Sequence, residues 1–145
     1  MTTSVGASTG LVTRGWHGIV AGLAGGIMFG ILMAMMGMMS TIAMMVGSSS
    51  AAVGWLVHLV ISAGYGVLFA LIVPATLGLG AMFGAGAVYG VALWVIGPLL
   101  IMPAMMGMPL FTFDTTAMMS LIGHIIYGLV VAGVLVALRR RTVRA

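Results

Sequence analysis

The chain has no cysteine, which excludes disulfides, thiolate metal centres and thiol nucleophiles together. It also has no glutamate and no lysine, and Asp114 is its single acidic side chain. Small four-span proton-coupled drug exporters work through a carboxylate inside the membrane, so this composition argues against that class. No phosphate-binding loop, zinc-protease helix or nucleophile-with-base arrangement is present either. Catalysis by this chain alone is therefore not expected, and no catalytic residue is assigned. Charged residues make up 4% of the 145, where a soluble fold carries about a quarter.

What fills the sequence instead is apolar. Hydrophobic residues account for 63% and the mean hydropathy is +1.33, the profile of an integral membrane protein. The length accommodates four spans of about 20 residues with short connections. The net charge of +4 and an isoelectric point near 10.9 invite a nucleic-acid reading, but the charge placement rejects it. Arg14 precedes the first apolar run, and Arg139, Arg140, Arg141 and Arg144 follow the last. Cations confined to the flanks of apolar runs are membrane anchors facing anionic lipid. The first apolar run extends to about Val46, too long for a signal-peptide core of about 7–15 residues, so it reads as a retained span.

The expected architecture is all-α, a four-transmembrane-helix bundle with helices at about 17–40, 52–73, 81–102 and 117–138. A cytoplasmic tail (1–15) precedes the transmembrane domain (16–138), and a basic cytoplasmic tail (139–145) follows it. An even number of spans leaves both termini on one side, and the arginines place that side in the cytoplasm by the positive-inside rule. Pro74 stops span two, because proline cannot continue the helical ladder. Gly97-Pro98 falls inside span three, where it predicts a kink and a freed carbonyl.

Small residues recur every four positions. Gly18, Gly22, Gly26, Gly30 and Ala34 form one stripe, and Gly54, His58, Ser62, Gly66 and Ala70 form another. Ser120, His124, Gly128 and Ala132 form a third. Residues four apart stack on one helix face, and small ones let a neighbouring backbone approach closely in lipid. Laying His58 on His124 matches Gly54 with Ser120, Ser62 with Gly128 and Gly66 with Ala132. Ala34-Met35-Met36-Gly37-Met38 also recurs letter for letter as Ala104-Met105-Met106-Gly107-Met108. Both observations suggest two tandem helical hairpins related by a pseudo-two-fold along the membrane normal.

Most of the sixteen methionines fall at the outer ends of the spans. Thioethers and imidazoles suit copper, so His58, His124, Met35, Met38, Met105 and Met108 are candidate ligands; thioethers equally fill adaptable packing surfaces. At about 1.5 Å per residue, each of His58 and His124 lies ~9 Å inside the outer boundary, where the pair could also ligate haem b. The alternative for each imidazole is a hydrogen bond to a helix neighbour or loop carbonyl. Asp114 is expected to cap span four, or more sharply to orient a histidine.

The span count, the His-x-x-x-Gly helix, Tyr89-Gly90 with Trp94, and Met102-Pro103 together resemble small uncharacterised four-helix bacterial inner-membrane families. The resemblance covers most of the chain and implies the fold and a plasma-membrane address, with no activity or site residue. The sequence thus points first to a non-catalytic accessory or self-assembling subunit of a membrane complex, such as a redox complex. It would dock other membrane subunits or further copies of itself through glycine stripes and a Met-rich rim. A haem b or copper protein built on His58 and His124 is the rival.

Overall fold

A computed structural model describes residues 4–144, with side-chain surroundings for 10–140. With so little charge to spare, the backbone must satisfy its own polar groups, and the described residues form helices and loops with no strand. The elements are α1 (Ser4–Met35), α2 (Met39–Met44), α3 (Ala51–Ile72) and α4 (Leu79–Ile96). A π-helical turn (Gly97–Ile101), α5 (Met102–Met106) and α6 (Thr115–Arg144) complete the chain. Four stretches are long and apolar enough to cross a membrane: Gly10–Met35, Ala51–Ile72, Leu79–Met106 and Thr115–Arg140. The protein is an all-helical membrane bundle of four candidate spans.

Span one stops five residues short of the expected Ser40, for a local reason. Gly37 takes φ of 71°, and the N–H of Met38 turns back to the Met33 carbonyl at 2.9 Å. This is a glycine-terminated helix end, favoured because only glycine enters the left-handed region without a Cβ penalty. The repeated pentapeptide does the same thing again. Gly107 has φ of 65° and the Met108 N–H reaches the Pro103 carbonyl at 2.9 Å, closing α5. At the other end, α1 already begins at Ser4, inside the stretch expected to be a tail.

The stripes pair within the chain. An added Cβ at Gly18 or Gly22 would strike the backbone of Gly66, Val67 or Ser62, and one at Gly26 would strike the Ser62 side chain. Spans one and two therefore meet nearly backbone to backbone. Spans three and four do likewise, with Gly86 against Gly128 and Ala132, and Gly90 against the backbone at His124. The hairpins join through α1 and α6, so spans one and four make the central pair. Gly25 leaves room for the Tyr127 ring, whose hydroxyl donates to the Ser62 carbonyl at 2.6 Å and ties span four to span two. Ala34, the last residue of the first stripe, is exposed and joins no seam.

The two proline features do different work. In span three the Met102 N–H bonds the Gly97 carbonyl, five residues back, so the Gly97-Pro98 break is absorbed as one wide turn. Pro103 lacks an N–H for the Leu99 carbonyl, which accepts instead from the Phe111 N–H at 2.9 Å. At the head of span four, Asp114 Oδ1 accepts from the Ala117 N–H at 2.7 Å, the expected cap. Asp114→Ala should cost about 1 kcal/mol in thermal unfolding, while Asp114→Asn, an equally good cap, should be near neutral.

Candidate functional site

Spans two and three come together near Tyr89, whose hydroxyl donates to the Tyr65 carbonyl at 2.8 Å and whose ring lies 4.9 Å from Phe69. Beyond that level, toward the end of the bundle carrying the α2 and 107–114 connections, a cavity of about 480 Å³ occupies the space between them. Gly97 and Pro98 line it, and Gly97 has no neighbour within 4 Å of where a Cβ would stand. The small residues of the wide turn thus leave the space open on the span-three side. The innermost lining residues are Phe29, Ser62, Tyr65, Leu93 and Tyr127, so the Tyr127–Ser62 tie forms part of its floor.

Both histidines line this cavity, and both rings contact Phe29, at centroid distances of 5.5 Å for His58 and 4.5 Å for His124. They therefore share one level in the bundle. The buried His58 ring places Nε2 at 2.9 Å from the Gly26 carbonyl and stands edge-on to Trp55. A carbonyl can only accept, so Nε2 carries the proton. Spans one and two are thereby joined polar to polar at the point where Gly26 permits close approach. His124 places Nδ1 at 2.7 Å from the Ser120 carbonyl, one turn back on its own helix, with Ser120 Oγ at 3.3 Å. By the same logic Nδ1 is the donor, and the tautomer protonated there alone carries its lone pair on Nε2.

The candidate ligand set divides. Met38 and Met108 line the cavity with the two histidines, while Met35 and Met105 are exposed and take no part in it. Met33, Met36, Met45, Met102 and Met106 join the lining, which helical spacing alone could not reveal because it does not say which face turns inward. Among the described residues no three His, Asp or Glu side chains come together, so a metal here would depend on thioethers. The Phe29 ring contacts both imidazoles, and the Nε2 of His58 that would have to ligate iron is already held by the Gly26 carbonyl. The residues therefore do not fit a haem held between them. Asp114 also lines the cavity, at its outermost rim, with one oxygen committed to the cap.

Phe29, Tyr65 and Tyr127 are the lining residues that sequence reasoning missed. A lone aromatic in a membrane helix gives no sign of the carbonyl or ring it will meet. The four apolar helices and their internal cavity define an integral membrane protein with a ligand-sized space at one end. No protein-family model, curated protein or solved structure matches the chain.

Proposed function

We propose that the chain is a non-catalytic accessory protein of the bacterial plasma membrane whose working element is the cavity at His58 and His124. It holds a lipophilic molecule bearing a hydroxyl, admitted sideways from the bilayer between spans two and three. One observation carries this reading: a space of about 480 Å³, lined mostly by apolar side chains, with few polar groups directed at it. The polar chemistry selects the head of the ligand. With Nδ1 of His124 committed to the Ser120 carbonyl, the ring offers an acceptor, which matches an O–H donor such as a phenol or quinol. The arginine-bearing termini face the cytoplasm in this reading, which puts the cavity in the outer leaflet.

The glycine stripes are used between helices of one chain. Docking to other membrane subunits or to further copies is therefore assigned to the exposed methionines of the rim, Met35, Met105, Met118 and Met119. A second reading rests on the five further thioethers that share the cavity with His124, a donor set suited to Cu(I).

Purified protein titrated with a short-chain benzoquinol, followed by tryptophan fluorescence, tests the first reading. Saturable binding is expected, weakened about tenfold in His124→Leu, the loss of about 1.4 kcal/mol of hydrogen bonding. Gly97→Ala, whose added Cβ meets nothing within 4 Å and stands beside the cavity, should weaken binding. Binding unchanged by both substitutions rejects the cavity as the site. Stoichiometric Cu(I) retained by the wild type and lost in Met106→Leu would move the assignment to the metal.

A further inference from the structure

At the opposite end of the bundle, the arginines do more than face lipid. Pro74 has no N–H to offer the Ala70 carbonyl, and Arg14 supplies the missing donors, with Nε at 3.1 Å and Nη2 at 2.7 Å. The same Nη2 reaches the Leu71 carbonyl at 2.9 Å and the Val73 carbonyl at 3.1 Å. Arg139 arrives from span four at the next carbonyl, Pro74, through a long contact of 3.4 Å from Nη1. Its Nη2 is buried and has no partner. Two guanidiniums are thus drawn to one short stretch of backbone, and the first has already taken the accessible acceptors.

No side chain of this protein can neutralise the second. Asp114 is the only acidic residue, and it caps α6 at the far end of the bundle. Beside Arg139 a pocket of about 180 Å³ is lined by Arg140, by Ala75 of the connecting turn, and by the apolar Leu77, Leu79, Met82 and Val136. α4 starts at that pocket with Leu79, and its N-cap Gly78 gives no side-chain cap. An unpaired guanidinium donor, a second arginine and an uncapped helix start all call for an oxyanion that the chain does not contain.

We propose that this pocket binds a phosphodiester, supplied by the headgroup of an anionic phospholipid, with Arg139 and Arg140 on the phosphate oxygens. The apolar part of the lining runs beside the guanidiniums, where the glycerol and the first methylenes of the acyl chains lie. A free phosphate shares the headgroup's charge and has nothing to place against Leu77, Leu79 and Met82. This site is independent of the cavity at His58 and His124, and neither requires the other.

The test is lipid exchange on purified full-length protein, read by native mass spectrometry and by melting temperature in mild detergent. Dioleoylphosphatidylglycerol should be retained about tenfold more strongly than dioleoylphosphatidylcholine and should raise the melting temperature. Arg139→Gln should remove that preference. Arg140→Gln should reduce it in a variant certain to be informative, because Arg140 is exposed and its loss leaves no buried donor behind. Arg139→Lys, which keeps a charge but loses the planar fork, should fall between the two. A preference for phosphatidylglycerol that survives Arg139→Gln would mean diffuse attraction and overturn the proposal, as would equal retention of the two lipids. Stabilisation by millimolar inorganic phosphate equal to that by phosphatidylglycerol would overturn the lipid source.

Discussion

Gly66→Ala should lower the melting temperature of the purified protein by about 10 °C, corresponding to about 3 kcal/mol, whereas Gly64→Ala should leave it unchanged or slightly higher. The two positions lie on the same helix two residues apart, and the substitution is the same. At Gly66 the new methyl would stand 2.6 Å from the Gly22 nitrogen and against the Gly18 carbonyl oxygen, all of it backbone that cannot rotate away. Ordinary contacts begin near 3.5 Å, so the helices must separate by about 1 Å along the whole seam. That separation would also draw His58 Nε2 away from the Gly26 carbonyl, leaving two polar groups unpaired inside the bundle. At Gly64 the methyl meets nothing within 4 Å and adds only the helix preference of alanine, worth up to about 1 kcal/mol. Equal behaviour of the two variants would show that spans one and two do not meet at this face.

The stripe carrying Gly66 was legible because its spacing is a local property. Gly18, Gly22 and Gly26 stack on one face of any helix, and small residues at that spacing make a seam wherever the partner lies. Pro74 and the Asp114 cap were legible for the same reason, since each acts on bonds within a few residues. Gly37 was legible in principle: a glycine among methionines, repeated at Gly107, is a helix-end signal, but the unbroken apolar run beyond it masks the stop. The cavity was not legible. Its existence depends on span three leaving span two beyond Tyr89, and no periodicity within either helix encodes that. Helical spacing placed Met35 and Met38 as a pair, yet Met38 lines the cavity and Met35 is exposed, because the glycine turn at Gly37 ends the helix between them. Arg14 shows the same limit. Its position at the foot of an apolar run marks a membrane anchor, while its hydrogen bonds to Ala70, Leu71 and Val73 exist only because Pro74 ended a different helix.

That dependence gives a second large effect with a built-in control. Arg14→Met should destabilise the protein by about 3 kcal/mol, the value of a charged hydrogen-bond set at a helix C-terminus where the positive charge also meets the negative end of the macrodipole. Methionine keeps an apolar stem of similar reach, so the loss reports the guanidinium and not the packing. Arg14→Lys should recover part of it, because an ammonium has three donors but cannot hold the Ala70 carbonyl with two nitrogens of one planar group. If the orphaned Ala70 carbonyl is the cause, supplying it with a backbone donor should make the arginine matter less. Pro74→Ala does so by restoring an N–H four residues on, letting α3 continue by one bond. In the Pro74→Ala background, Arg14→Met should therefore cost at least about 1 kcal/mol less than in the wild type, a coupling that a double-mutant cycle of melting curves resolves. Strict additivity would mean that Arg14 contributes only a diffuse interfacial charge, and that the hydrogen bonds from span one to the end of span two do not hold the bundle together.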